Sequence, residues 1–419
     1  MQNITKLLGG TALAVVGATA ASAGGMEAGR YNPAFMFESG NYAEISIAQT
    51  TPNVKDDVYS PDGSMLSKMT NFTGSMKLNI NDRMSVGITT FDSAKIALSY
   101  EGNGGPFTST PIPAALDAQL ANAVSAVDPT NPTDAEKLAI AGLPPAIVRQ
   151  VAGGVVTAGF VLPEPYVDLS FRSTILTLNY KISDRLDVFG GIKYSEGSAT
   201  GNVISEPSGD LTAKKSSSTA PVVGVSYSIP NIALRVTATY QGKATTKHET
   251  STAYNATMQG LDLPASMALN NTEASLPESF TVDFQTGIAA NTLLFGSIHH
   301  AKWGDAHIYF DGSSTAKSTW EDSTTYSLGV GRKLNDNWAV SGSVNYEAAG
   351  DKAGTSLLAT TNGVQGLSVG AKYTQGNMNI SGGVNYSMLG DKDVTSFAGK
   401  GSFKDNSAIT MGMKVGFNF

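Results

Sequence analysis

The chain has 419 residues, of which 45 are glycine and 15% are charged, with a mean hydropathy near zero and a formal net charge of −7. This composition describes strands and turns rather than a helical bundle or a disordered chain, and the acidic balance offers no surface to a nucleic acid. The absence of cysteine excludes disulfides and thiol chemistry.

Lys6 precedes an apolar stretch from Leu7 to Ala20, which ends in Ala21-Ser22-Ala23. These are the charged, apolar and small-residue regions of a secretory signal, so residues 1–23 are expected to be removed by cleavage after Ala23. The stretch is interrupted by Gly9, Gly10, Thr11, Gly17 and Thr19, and it falls short of the roughly 20 residues a helical span needs. No later segment is long and apolar enough either, so membrane insertion would have to use a closed barrel.

From Tyr42 onward the chain alternates apolar and polar residues in runs separated by short turn signals. The turns are Asn81-Asp82, Ser183-Asp184, Pro230-Asn231, Ala290-Asn291, Asn335-Asp336-Asn337 and Gly376-Asn377. Ile232, Leu234, Val236, Ala238 and Tyr240 read as one face of a strand, as do Trp338, Val340, Gly342, Val344 and Tyr346. Six turns make twelve strands, and unpaired runs at Tyr42 to Gln49 and Ile409 to Phe419 bring the predicted total to fourteen. The last run places Ile409, Met411, Met413, Val415, Phe417 and Phe419 on one face and Thr410, Gly412, Lys414, Gly416 and Asn418 on the other. The expected fold is therefore an all-β, 14-stranded antiparallel transmembrane barrel over residues 42–419, with both ends on the short-turn side.

Longer connections are expected at about 51–66, 101–165, 206–215, 248–275, 310–318, 351–364 and 391–403. The second is unlike the rest. Leu116, Leu120, Val124 and Val127 recur at helical spacing, Thr133 and Glu136 form a capping box, and Ile147, Val148, Val151 and Val155 suggest a third helix. So apolar a loop must bury its faces against another loop, the barrel mouth or a ligand.

Three features resemble the outer-membrane long-chain fatty-acid transporter family, whose best-known member is FadL and which includes TodX-like importers of aromatic hydrocarbons. Asn32-Pro33-Ala34 resembles the motif of that family's N-terminal plug. Leu276-Pro277-Glu278, followed by a hairpin that reaches Lys302-Trp303, resembles its Leu-Pro-Glu hairpin. The strand count and the helical second connection agree with its architecture. The resemblance implies a short plug, residues 24–41, inside the lumen, although Ile88 to Ser93 lacks the family's Pro-Phe-Gly element. It also implies an outer-membrane location in a Gram-negative bacterium, contact with outer-membrane lipids and lipopolysaccharide, and reading of Phe419 by the barrel-assembly machinery. The implied function is passive uptake of long-chain fatty acids or similar hydrophobic compounds, without a cofactor. A general porin, or a structural or adhesin barrel, is the alternative.

A fatty acid presents an apolar tail and one carboxylate, so its path needs apolar walls and a modest positive site. Lys77, Arg172, Lys193, Arg235, Lys372 and Lys414 are the predicted lumen cations, with Lys77, Arg235 and Lys372 nearest the short turns. A turn at Ser183-Asp184 would pair Arg172 with Ser195 and Lys193 with Thr174, making Arg172 and Lys193 diagonal neighbours on one face. Their shared anion is either a ligand carboxylate or one of Asp168, Asp187, Glu44 and Asp283 in a salt network. Phe91, Phe189 and Phe295, with Phe35 in the plug, either line the tail's path or pack against the plug. In the fourth strand Val167, Leu169 and Phe171 are expected to face lipid, and the apolar set then shifts to Leu176, Leu178 and Tyr180. That shift predicts a bulge, and the resemblance implies sideways substrate release where a wall strand is kinked.

An enzyme is the third class. Only four histidines are present, and His299 and His300, adjacent on a strand, face opposite ways. No glycine-rich phosphate loop or spaced metal-ligand set is seen, and Asp391 and Asp393 read as a solvated loop tip. No catalytic or metal site is assigned.

Overall fold

The computed structural model describes residues 26–100, 102–103, 166–202, 209–254, 270–310, 316, 318, 320–354, 358–396 and 399–419. The predicted signal, the three predicted helices and most of the 101–165 connection lie outside the described residues. In chain order the strands are β1 Tyr42–Asn53, β2 Met69–Asn79, β3 Met84–Ser99, β4 Tyr166–Ser183, β5 Leu186–Asn202, β6 Gly209–Ile229 and β7 Leu234–Gln241. They continue as β8 Ala244–Tyr254, β9 Asn271–Leu276, β10 Ser279–Ala289, β11 Thr292–Ala301, β12 Ile308–Phe310, β13 Ser323–Lys333 and β14 Trp338–Glu347. The last are β15 Ala353–Gly354, β16 Val364–Gln375, β17 Met378–Leu389, β18 Lys392–Ser396, β19 Gly399–Phe403 and β20 Asn406–Asn418.

Fourteen of these form a closed antiparallel wall: β1 to β7, β10, β11, β13, β14, β16, β17 and β20. β20 closes the ring by pairing along the whole of β1, from Tyr42 opposite Asn418 to Asn53 opposite Ser407. Closure removes the two terminal edges that an open sheet would present to lipid. The six short turns fall within a residue or two of the expected places, the β4–β5 turn lying at Asp184-Arg185. Two of them work alike: Asn81 Oδ1 accepts from the amides of Arg83 and Met84 at 2.9 Å, and Asn335 Oδ1 from those of Asn337 at 3.0 Å and Trp338 at 2.9 Å. At the β16–β17 turn Gly376 takes φ +58°, the left-handed conformation a two-residue hairpin demands.

Alternation then sorts the faces. Ile45, Ile88, Leu176, Ile192, Val223, Leu328, Val344, Val369 and Met411 are exposed on the outside, with Tyr180, Tyr227, Trp338, Phe417 and Phe419 exposed toward the short-turn end. This is the apolar band and aromatic girdle of a lipid-facing wall. Inside, hydroxyl pairs cross between strands, including Ser75–Thr89, Ser173–Ser195 and Ser226–Thr237, at 2.8–2.9 Å.

The long-connection end is a packed layer. β6 outruns β7 and pairs its first residues with β8, which leads through β9 to β12, while β15, β18 and β19 form a separate small sheet. Within the connections predicted at 206–215 and 248–275, residues 209–215, 248–254 and 271–275 are thus strand. Val54, Tyr59, Met65, Tyr100, Trp303, Trp320 and Phe403 are buried together there. Asp56 organises part of this layer, its carboxylate accepting from the amides of Tyr59 at 2.6 Å and Ser402 at 3.0 Å. Asp393 is held by Ser402 and is not a bare loop tip.

The β4–β5 hairpin corrects the expected register. A shift between Lys181 and Ser183 moves the pairing by one residue, so Arg172 lies opposite Glu196, and Lys193 opposite Ile175. One residue of slip reverses every side chain relative to the partner strand. Arg172 therefore points outward and Lys193 inward. β4 itself holds one phase throughout: Leu169, Phe171, Ser173, Ile175, Thr177 and Asn179 are all buried inward, so Leu169 and Phe171 do not face lipid. The bulge lies instead in β3, between Asp92 and Ala94.

Candidate functional site

The β3 bulge opens the wall. The β2–β3 ladder stops at Thr73 opposite Phe91, although β2 begins four residues earlier, at Met69. Beyond that point β3 takes its bonds from elsewhere. The amide of Ala28 donates to Ser93 O at 3.1 Å and that of Lys95 to Met26 O at 2.9 Å, so residues 26–28 stand where β2 leaves off. Pairing with the chain before β2 resumes only at Leu66 opposite Leu98. Asp92 caps the parting, one carboxylate oxygen accepting from the Phe72 amide at 2.9 Å and the other from the Arg172 guanidinium at 2.9 Å.

From this gap residues 26–41 run through the ring, touching opposite walls. Glu27 pairs with Arg30 at 2.5 Å and lies 3.2 Å from His299 on β11. Arg30 donates to Thr325 on β13 at 3.0 Å, and the Tyr31 hydroxyl bonds Thr177 on β4 at 3.1 Å. At the short-turn end Lys77 Nζ donates to Glu38 O at 2.5 Å, and Asn418 donates to Ser39 O at 2.7 Å. Asn32-Pro33-Ala34 has a local function in this path: Asn32 Oδ1 accepts from the Ala34 amide at 2.9 Å and Pro33 opens a 3₁₀ turn over Pro33–Phe37. That turn delivers Phe35 and Met36 into the ring, where both are buried.

Phe91 and Phe189 meet them. Tyr31, Phe35, Met36, Tyr42, Phe91, Ile175, Phe189 and Val222 form one buried cluster, with Phe37 at its edge and edge-on to Phe189. Glycines in the wall make the room, since a Cβ at Gly87 would overlap Met36 and one at Gly224 would overlap Phe189. Phe295 does not join. It stands on β11 over Gly329, whose Cβ would lie 2.5 Å from its ring.

Lys193, 4% exposed, is next to Ile175 of this cluster and has no hydrogen bond or ion pair among the described residues. Glu27 is the carboxylate whose charge reaches it. The expected pair thus reduces to one inward amine, and Arg172 is bound to Asp92 on the outer face. Glu44 is taken by Lys414 at 3.4 Å, and Asp187 accepts from Asn179 at 3.2 Å.

Leu276, Pro277, Glu278 and Trp303 converge at the outer rim, where β9 passes into β10. Glu278 accepts from Lys302 at 2.8 Å and from the Tyr240 hydroxyl at 2.9 Å, and these bonds hold its carboxyl below the usual range. Trp303 is buried edge-on to Trp320, so this motif clamps the kink from wall to cap. Among the described residues, no three His, Asp or Glu side chains are placed to hold a metal ion.

Sequence reasoning missed Asp92 and the pairing of residues 26–28. The available signal for the bulge at Asp92 was a change of parity: the inward apolar residue is odd-numbered at Phe91 and even-numbered at Ile96 and Leu98.

No protein-family model and no curated protein sequence matches the chain. Solved structures do. A Pseudomonas aeruginosa FadL homologue is similar at 13% identity, covering 93% of each chain, with a TM-score of 0.64. The P. putida toluene transporter TodX covers 93% of each chain at 13% identity with a TM-score of 0.58. The Ralstonia pickettii toluene transporter TbuX covers 94% of this chain and 97% of its own at 12% identity, TM-score 0.56. Over nearly its whole length, then, this chain has the fold of the FadL- and TodX-type barrels.

Proposed function

We propose that this protein carries long-chain fatty acids or similar hydrophobic compounds passively across the outer membrane of a Gram-negative bacterium, with residues 24–41 as the plug. The parting of β2 from β3 beyond Phe91 carries this reading, because it lies beside the aromatic cluster that the N-terminal segment builds inside the wall. An apolar solute that reached the cluster would have a route toward lipid once residues 26–28 leave β3. Two of the similar structures are toluene transporters, and a FadL-type fold supports the same class of cargo. Lys193 supplies a cation for a carboxylate head group beside the apolar residues. Phe91 and Phe189 would contact the tail there, while Phe295 lies apart.

The general-porin reading fits less well, since the lumen is crossed by residues 26–41 and the outer end is packed. Uptake of radiolabelled oleate into cells producing the protein tests the proposal. Oleate entry above a barrel-free control is expected, reduced when residues 113–158 are removed. Leakage of small hydrophilic solutes without oleate entry would replace the proposal with a porin.

A further inference from the structure

At the short-turn end, below the aromatic cluster, a cavity of about 410 Å³ lies between Phe37 to Ser39 of the N-terminal segment and the inner wall. Its size falls in the lower part of the range for small-molecule sites. Arg235, the second residue of β7, lines it, flanked across the sheet by Ser228 on β6 and Gln285 on β10, which also line it. The guanidinium carbon sits 4.5 Å above the centre of the Phe37 ring. A guanidinium on an aromatic face keeps its edge N–H groups free for a planar anion. Nothing among the described residues uses them: the Arg235 side chain makes no ion pair or hydrogen bond there, and its Nε is buried without an acceptor. A buried charged donor left unbonded is costly, so the arrangement lacks an acceptor.

Of the charged side chains at this end, Arg235 and Glu38 line the cavity, and Lys77, Lys372, Lys414, Glu44 and Asp187 lie within electrostatic reach of them. Lys414 is occupied by Glu44, and Lys77 by the backbone oxygen of Glu38. Glu38, which also lines the cavity, has its carboxyl pushed up by burial, which disfavours a negative charge beside Arg235. Pro230, Ala233 and Leu234 add apolar surface beside Arg235.

We propose that this cavity is a binding site for a small organic carboxylate, held by the Arg235 guanidinium with Gln285 beside it and its apolar body against Phe37. Phe37 also touches Phe189, so the site adjoins the cluster through which an acid would arrive. The ligand class rests on the uptake reading, while the site itself rests on Arg235.

The test is calorimetric titration of benzoate, benzyl alcohol and inorganic phosphate into the full-length protein in an uncharged detergent. Lys193→Gln serves as the parent so that the mid-lumen amine does not contribute. Benzoate is expected to bind the parent, to lose about tenfold or more in affinity with Arg235→Gln, and to lose less with Arg235→Lys, which keeps the charge but not the fork. Benzyl alcohol should not follow these changes. Each variant is checked for the heat-modified gel mobility of a folded barrel, and Arg235→Lys carries the test if Arg235→Gln fails to fold. Benzoate affinity indifferent to both substitutions, or phosphate binding as tightly as benzoate, would overturn the assignment. Absent oleate uptake with Arg235-dependent benzoate binding would strike the transport reading alone. Normal uptake with binding indifferent to Arg235 would strike this site alone.

Discussion

The wall has a regular part and an irregular one. From β13 through β20 and on to β1, every pairing runs without a register shift. From β3 to β6 the ladders slip three times, at Asp92/Ala94, Lys181/Ser183 and Gly197/Ala199. The regular part is what a lipid-spanning sheet needs and little more. The irregular part holds the parting beside β3, four of the five wall residues of the aromatic cluster and the inward Lys193. Bulges turn side chains by one position at a time, and here that turn separates Lys193, aimed at the lumen, from Arg172, aimed at the outside.

The largest effect should come from the regular part. Phe419 is exposed on the outer face and stacked on Phe417, with ring centres 6.5 Å apart. Deleting it shortens the apolar face that an assembly machinery would read on the last strand, and is expected to cut folded protein in the outer membrane severely. Fractionation and heat-modified gel mobility measure this, and normal levels of the truncated chain would refute it.

Next in size is a paired glycine test. Gly224→Ala on β6 would drive a Cβ into the Phe189 ring and to 2.7 Å from Ala238 O. Overpacking of this kind costs about 1–3 kcal/mol. Gly342→Ala on β14 meets nothing nearer than Ser368 O at 3.8 Å, so it should be neutral or slightly stabilising. Urea unfolding of both variants sharpens the comparison, and equal destabilisation would abolish it.

These contrasts also show how much could be read from residues alone. On β14, Trp338, Val340, Val344 and Tyr346 face outward as their alternation predicts, and Ala339 and Glu347 are buried inward. The strand count and six turns followed from the same alternation and from Asn and Gly chemistry. Arg172 was misplaced because parity carries no record of an inserted residue: the slip near Ser183 is set by turn geometry, not by hydrophobicity. Phe171 was misplaced because the packed outer end buries apolar residues inside the wall, so apolar no longer means lipid-facing there. The pairing of Met26 to Ala28 with β3 joins segments about seventy residues apart, and nothing local in either announces it.

A binding comparison sharpens the two faces of the β4–β5 hairpin. Lys193→Gln is expected to weaken oleate about tenfold while sparing oleyl alcohol, because a charged hydrogen bond contributes on the order of 1.5–3 kcal/mol. Arg172→Gln should change neither ligand, since Arg172 bonds Asp92 on the outer face. Loss of oleate affinity in the Arg172 variant would mean that the face assignment is reversed.

The smallest effect concerns how residues 26–28 are fastened beside β3. Burial pushes the Glu27 carboxyl up, but the charges of Arg30 and His299 outweigh it and bring its pKa from 4.5 down to about 2. A carboxyl whose folded pKa is depressed adds stability that is complete above its unfolded value and fades as pH falls toward the folded one. The difference in thermal stability between the parent and Glu27→Gln should therefore be flat from pH 8 to about pH 5, where Glu27 is ionised in both states. It should shrink only as the pH drops through 4.5 toward 2. Exposed Glu278 at the rim, held by Lys302 and Tyr240 in water, is the control: Glu278→Gln should show a far weaker contribution, because solvent screens an exposed pair. Melting curves for the three proteins over this range decide the matter. A Glu27 contribution that fell between pH 8 and pH 6 would show that the carboxylate does not govern the fastening.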